Sequence, residues 1–261
     1  MIKHIIGTVI LVLALNTPVL HAQKKSFQGG EWLKFKVSYS GFFNAGYATL
    51  EVKNKLLHGK EVHHIKGYGK NSGLSRLFFK VEDRYETYMD RQLDIPYRFI
   101  RDINEGGHTR DIQVEFDHRA KTAFVHDKKN NTKNTYPIVT GVQDMLSVVY
   151  YLRNHVNTSN LKPGDFTDVD MFYGDEIFKF RLKFLYKETL KTKFGRVPTL
   201  VFRPYVESGR VFKEKESLTI WISDDDNKIP IKAKADLLVG SLNADLDEFK
   251  GLKHWFKIQS K

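Results

Sequence analysis

Alternation of apolar and polar residues is the dominant pattern along the chain. In the clearest case Leu33, Phe35, Val37 and Tyr39 alternate with lysine and serine. The same period of two recurs at residues 111–117, 178–186, 218–223 and 229–235. Successive side chains of a strand point to opposite faces of a sheet, so each segment is predicted to be a strand with one buried and one solvated face.

Short polar turns separate these segments. They lie at residues 54–60, 104–107, 127–131 and 224–227, and are rich in Asn, Asp and Gly. Such residues favour tight turns, and tight turns join antiparallel neighbours rather than parallel strands. The pattern predicts about a dozen strands in one domain.

One stretch has a helical period instead. In "TGVQDMLSVVYYLRNH", Thr140–His155, the spacing of Thr140 and Gln143 predicts a capping box. One helical stripe is formed by Val142, Met145, Leu146, Val149 and Leu152. A second short helix is predicted at Ser72–Phe79, "SGLSRLFF", with a loop as the alternative.

The two patterns together predict an all-β, mainly antiparallel fold. A sheet of this size curls, and the apolar stripe of a lone helix must be covered. We therefore expect a large curved sheet or incomplete β-barrel, with one central amphipathic helix over its concave side.

The N-terminus has the layout of a secretory signal. Lys3 precedes an apolar run, Ile5–Leu15, and a small residue, Ala22, stands before a polar stretch. We predict a signal peptide at residues 1–22, cleaved near Ala22, and a single β-rich domain at 23–261 in the periplasm. An uncleaved anchor is the alternative, although the run is short for a bilayer.

Composition narrows the chemistry. The chain has 261 residues, no Cys and a formal net charge of +11. The lack of Cys excludes disulfides, thiol catalysis, Cys–zinc sites and lipidation at a cysteine. The positive charge suggests an anionic partner, but the lysines are scattered singly along strands, and export argues against nucleic acid.

No motif indicates a metal or a reaction. Adjacent His63 and His64 point to opposite faces of a strand, and Asp224–Asn227 lacks the glycine and glutamate of a calcium loop. On one strand face Glu82, Glu86 and Asp90 offer paired carboxylates for glycoside hydrolysis, with Arg84 between two of them. We predict no cofactor, no metal and no catalytic residue.

A resemblance to a known family rests on several segments. "QDMLSVVYYLR" is similar to the pattern Asp-x-x-Ser-x-x-Tyr-Tyr-Leu-Arg of the bacterial exported family called domain of unknown function 3108. Further similar segments are "GEWLKFKVSYSGFFNAGYATLEV", "VEDRYETYMD" and "LTIWISDDDNKIPIKAKADLLVGSLNADL". The resemblance covers nearly the whole mature chain and implies an exported all-β protein.

The last of these segments also resembles a hairpin of the periplasmic lipoprotein-carrier proteins. Those carriers are incomplete β-barrels lidded by helices, and they hold acyl chains in an apolar cavity. This chain has more strands and one clear helix, so the resemblance implies a fold rather than a lipoprotein ligand.

These observations lead to a hypothesis of ligand binding without catalysis. We expect an exported, monomeric, soluble protein that holds a lipid or other amphipathic envelope molecule in a barrel-like cavity and makes peripheral membrane contact. Trp221 points away from the face of Leu218, Ile220 and Ile222, so it meets either a second layer or a ligand. The candidate binding residues are Trp221, Tyr150, Tyr151, Arg153, Tyr47 and Tyr85. A glycan-binding or glycan-hydrolysing protein and an envelope assembly factor are the alternatives.

Overall fold

The computed structural model describes residues 24–41, 43–72, 80–206 and 218–259. The strands in this part of the chain are β1 (Trp32–Tyr39), β2 (Phe43–Leu57), β3 (Lys60–Asn71), β4 (Val81–Asp90), β5 (Pro96–Glu105), β6 (His108–Asp117), β7 (Thr122–Asp127), β8 (Thr132–Pro137), β9 (Phe166–Tyr173), β10 (Glu176–Thr192), β11 (Gly195–Val206), β12 (Leu218–Ser223), β13 (Pro230–Asp236) and β14 (Ser241–Lys250). A helix, α1 (Ser147–His155), lies between β8 and β9. The predicted signal peptide lies outside the described residues, as does the short helix predicted at Ser72–Phe79 except for Ser72 itself.

All of these strands form one antiparallel sheet. Its order is β8-β7-β6-β5-β4-β3-β2-β1-β14-β13-β12-β11-β10-β9, so every pair is a sequence neighbour except β1 with β14. That single pairing joins the N-terminal and C-terminal halves, and it runs from Trp32 opposite Lys250 to Tyr39 opposite Leu242. The predicted antiparallel, curved, all-β architecture is confirmed, and the sheet is not closed into a barrel.

The free edge of β9 is covered by the chain that leads into α1. The backbone N–H of Gln143 donates to the carbonyl of Asp170 at 2.8 Å, and the N–H of Phe172 donates to the carbonyl of Gln143 at 2.8 Å. This isolated parallel bridge satisfies edge groups that would otherwise offer a template for pairing with another chain.

Alternation is interrupted inside one long strand. The sequence pattern puts Phe184 and Tyr186 on one face of β10, but this prediction is wrong. The register against β11 shifts between the two residues, and Tyr186 is 47% exposed while Phe184 is 2% exposed. A bulge adds one residue to a strand and reverses the faces beyond it, which the period of two alone does not reveal.

The helix begins later than the sequence indicates, and the predicted capping box is wrong. Residues 140–146 are not helical, Gly141 has a φ of +84°, and the helix starts at Ser147. The backbone of Gln143 is engaged by β9, while its side-chain amide donates to the carbonyls of Asp94 and Gly141 at 3.0 and 2.9 Å. Because Gln143 makes these tertiary hydrogen bonds, it does not form the predicted capping box with Thr140.

Asp144 supplies the N-terminal hydrogen bonds of the helix. Its Oδ1 accepts the N–H groups of Leu146 and Ser147, both at 2.8 Å, and its Oδ2 accepts the hydroxyl of Thr87 at 2.6 Å. The carboxyl is fully buried, and this burial raises the pKa of Asp144 to about 6.

The helix is buried between the two halves of the sheet. Tyr150 packs in a core with Val52 and Ile65 of the N-terminal half. Leu152 packs in a second core with Leu200 and Phe202 of the C-terminal half. The sheet thus wraps around α1, and the face that α1 contacts is termed the concave face. The predicted central helix is confirmed. No helix among the described residues combines the length and apolar character needed to cross a bilayer.

A buried ion pair fixes the C-terminal end of α1. Arg153 Nη1 and Nη2 donate to the two carboxylate oxygens of Glu31 at 2.6 and 2.7 Å. Arg153 also donates to the carbonyl of Asn227, from Nε at 3.1 Å and from Nη2 at 3.0 Å. One side chain therefore ties the helix to the segment before β1 and to the β12–β13 turn.

We expect Asp144→Asn to remove a pH-dependent cost to folding. Because the native carboxyl has the higher pKa, the native state binds more protons than the unfolded state between pH 3.8 and about 6, and Asp144 lowers stability as the pH rises through that window. The side-chain oxygen of the new asparagine can still accept hydrogen bonds from the N–H groups of Leu146 and Ser147. Urea unfolding should show the variant gaining stability relative to the native chain from pH 4 to 6; a constant difference across this range would contradict the assignment.

Arg153→Met should destabilise the fold by about 3–5 kcal/mol, because it leaves the Glu31 carboxylate buried without a counter-charge. Arg181→Met is the matched control, since Arg181 forms a similar bidentate pair with Asp168 at 2.8 Å on the surface. Breaking an exposed pair costs below about 1 kcal/mol. If chemical unfolding showed that both variants lose the same free energy of unfolding, the buried pair would have no special role.

Candidate functional site

The concave face retains an apolar cavity beside α1. Its volume is about 310 Å³, at the lower end of the range of small-ligand sites. It is lined by Phe35, Ala48, Leu50, Val149, Leu152, Arg153, Val156, Phe180, Leu182, Phe202, Ile220, Ile222, Lys228, Pro230, Ala233 and Ala244. The helix and both halves of the sheet therefore contribute to one cavity.

Small residues at core-facing positions open this cavity. Ala233 of β13 lies directly opposite Ala244 of β14, and Ala48 of β2 lies opposite Phe35 of β1. Strand positions that face a core usually carry larger branched or aromatic side chains. The three alanines leave space in the sheet wall, and Val149, Leu152 and Val156 of the helix segment bound the space from the other side.

Two cationic side chains border the cavity, and they differ in their partners. Arg153 is neutralised by Glu31. Lys228 forms no ion pair with a described residue, and its Nζ donates to Ser26 Oγ at the long distance of 3.4 Å. Burial lowers the pKa of the Lys228 ammonium, and the nearby aspartate carboxylates of the same turn act in the opposite direction. Of these two lining cations, Lys228 is therefore the one without an ion-pair partner among the described residues.

A second recess of about 300 Å³ lies by the start of α1. It shares Ala48 and Leu50 with the first cavity, and Met145 and Leu146 border it from the helix side. Gly67 of β3 adds to its width, because a methyl group there would enter the recess and contact Leu50 and Leu146 at 3.5 and 3.8 Å. Asp83 gives this recess a polar side, and burial raises the pKa of Asp83 to about 6.

The structure brings two of the six predicted binding residues to these spaces. Arg153 lines the first cavity, and Tyr85 lines the second recess. Trp221 lies on the opposite face of β12 from Ile220 and Ile222, where its Nε1 donates to Glu188 at 2.8 Å.

The other three predicted tyrosines lie elsewhere. Tyr150 is fully buried and packs edge-on against Phe27, with ring centroids 4.8 Å apart. The ring of Tyr151 stacks on that of His155, with centroids 4.0 Å apart, and the rings of Tyr47 and Tyr68 have centroids 6.2 Å apart. A binding role for the six residues stays a prediction, and the cavities themselves are lined mainly by aliphatic residues.

Sequence reasoning missed the residues that shape the cavity. Ala233 and Ala244 look like ordinary core positions, and Lys228 looks like a turn residue after three aspartates. The available signal was the small size of alanine where the alternation calls for a large side chain. The position of Lys228 next to α1 depends on the tertiary fold, so the sequence around the turn carries no signal for it.

The histidines and strand carboxylates have structural partners. His63 packs against Phe27 on the concave side, and burial lowers the pKa of His63 to about 4. On the other face of β3, His64 Nε2 is 2.6 Å from Glu86, which also lies 3.4 Å from Arg84. Glu86 is thus held in a buried network. No group of three potential metal ligands occurs among the described residues.

Comparison with known proteins gives several structural matches. Eight solved chains match, although no curated protein does. A β-barrel-like protein of domain of unknown function DUF1849 from Brucella abortus is 9% identical, with a TM-score of 0.57, and the match covers 88% of this chain and 100% of that chain. A protein with a YmcC-like fold from Bacteroides fragilis is 8% identical, with a TM-score of 0.31, covering 88% and 99%.

The similarity to the Brucella protein concerns the fold, whereas the family assignment rests on sequence. Residues 34–247 match the family described as "Protein of unknown function (DUF3108)". The match includes β2 to β13 entirely, together with α1 and the Asp144–Arg153 motif. The chain therefore belongs to the DUF3108 family.

Proposed function

We propose that this chain is an exported protein that binds an apolar or amphipathic molecule of the cell envelope without catalysing a reaction. The observation that carries the proposal is the cavity of about 310 Å³ between α1 and the concave face. Export is supported by the signal-like N-terminus, in which Lys3 precedes the apolar run Ile5–Leu15 and the small residue Ala22.

The lining favours a hydrocarbon occupant. All the residues around the cavity are apolar except Arg153 and Lys228. Water binds well only where two to four polar partners are present, and this wall offers few. An acyl chain needs no such partners, and each methylene that it buries contributes about 0.8 kcal/mol.

The position of Lys228 favours an amphipathic ligand over a purely apolar one. The Lys228 side chain is part of the cavity lining, and its ammonium forms no ion pair with a described residue. An anionic head group would give it a charge-assisted hydrogen bond, while the tail of the same molecule would contact Val149, Leu152 and Val156. A fatty acid or a similar single-chain anion combines these two parts.

Filling the cavity should weaken ligand binding. Ala244→Phe places a ring in the space opposite Ala233, so we expect at least a tenfold loss of affinity for a fluorescent fatty acid, the loss corresponding to about 1.4 kcal/mol or more. Ala120→Phe is the control, because Ala120 is exposed in the β6–β7 turn. Titration of the delipidated chain measures both variants, and unchanged uptake by a folded Ala244→Phe variant would refute this site.

Lys228→Met should separate head-group recognition from tail burial. Affinity for a fatty acid should fall roughly tenfold, because a hydrogen bond to a charged group contributes about 1.5–3 kcal/mol. Affinity for the fatty alcohol of equal length should change little. Competition titrations with both compounds provide the measurement, and an equal change for the two would show that Lys228 does not contact the head group.

A further inference from the structure

One end of the sheet exposes a concentrated set of apolar side chains. The turn between β13 and β14 contains Leu237, Leu238 and Val239, which are 45%, 96% and 76% exposed. Exposed single apolar residues are common, but three in succession at the point of a turn are unusual without a functional reason.

Neighbouring strands extend this apolar set. Tyr39 pairs with Phe43 in β2 and with Leu242 in β14, so these residues form a row across three strands at the end where the turn lies. Phe43 is 71% exposed and Leu242 is 39% exposed. We call this set the apolar tip; it consists of Phe43, Leu237, Leu238, Val239 and Leu242.

The turn is held in place. Tyr39 Oη donates to the carbonyl of Val239 at 2.8 Å, and the N–H of Leu237 donates to the carbonyl of Gly240 at 3.1 Å. Gly240 has a φ of +73°, and a Cβ there would lie 2.5 Å from Ser40 Oγ. The exposed leucines are therefore presented by a defined turn that needs its glycine.

The apolar tip is continuous with the cavity along the concave face. Ala233 and Ala244 line the cavity, and the next pair on the same face toward the tip is Ala235 opposite Leu242. Beyond that pair lies the turn itself. A track of apolar side chains thus leads from the most exposed leucine to the cavity wall.

We propose that the apolar tip inserts into the surface of an anionic lipid bilayer, so that a ligand passes between the bilayer and the cavity along this track. The turn projects from the end of the sheet, a shape suited to entering the acyl boundary of a bilayer. The chain as a whole carries a formal net charge of +11, which attracts it to anionic lipid. Insertion of the apolar tip into a bilayer does not depend on ligand binding in the cavity, whereas the passage of ligand rests on the proposed function.

A site-specific label tests the insertion. The chain contains no cysteine, so Leu238→Cys can carry an environment-sensitive fluorophore as its single label. Leu56→Cys is the matched control, because Leu56 is 70% exposed near the β2–β3 turn, at the opposite end of β2 from Phe43. With phosphatidylglycerol vesicles we expect a blue-shifted, enhanced emission at position 238 only. No change at 238, or equal changes at both positions, would overturn the insertion.

Substitution at the tip provides a second measurement. Leu238→Ser combined with Val239→Ser should lower partition into phosphatidylglycerol vesicles at least tenfold in flotation, whereas Leu56→Ser should not. Unchanged flotation of the double variant would overturn the proposal. If sedimentation showed that the native chain is a dimer and the double variant a monomer, while flotation was unchanged, the tip would contact a second copy of the chain and the proposal would be overturned.

Ligand transfer distinguishes failure of the tip from failure of the cavity. The double tip variant should take up a fluorescent fatty acid from solution like the native chain, but should extract it from vesicles at least tenfold more slowly. Equal extraction rates would overturn the passage along the track. If the native chain took up no fatty acid from solution while its tip still inserted, the proposed function would fail and the membrane contact would stand.

Discussion

The fold depends on the burial of one helix inside one sheet. Two sides of α1 pack against the sheet, since Tyr150 belongs to the core of the N-terminal half and Leu152 to that of the C-terminal half. A helix this short is not stable by itself, so its apolar contacts with both halves must hold it. The β1–β14 pairing and the Arg153–Glu31 ion pair then keep those halves around the helix.

A sheet that wraps a helix of nine residues does not fill its whole interior with side chains. The alanines of β2, β13 and β14 determine where the space remains, and the space lies beside the helix. The cavity and the fold thus have a common origin. The same strands end in the exposed turn at Leu238, which links the apolar interior to the surface that we propose meets the membrane.

The period of two predicted the strands and the antiparallel arrangement, because burial of one face is a local property of the sequence. The helix was predicted from its stripe, but its start was misplaced because β9 engages the backbone of Gln143. The bulge before Tyr186 and the partner of Arg153 depend on contacts distant in sequence. The cavity was predicted beneath the helix, whereas its aliphatic lining depends on cross-strand registers that no single segment encodes.

The most direct test is a crystal structure of the delipidated chain with a fatty acid brominated near its terminal methyl group. Anomalous scattering locates the bromine atom directly, whatever the conformation of the acyl chain. We expect a bromine peak between Val149 or Leu152 and the Ala233–Ala244 pair, with the carboxylate near Lys228. A peak confined to the outer surface, or a concave face closed by its own side chains, would contradict it.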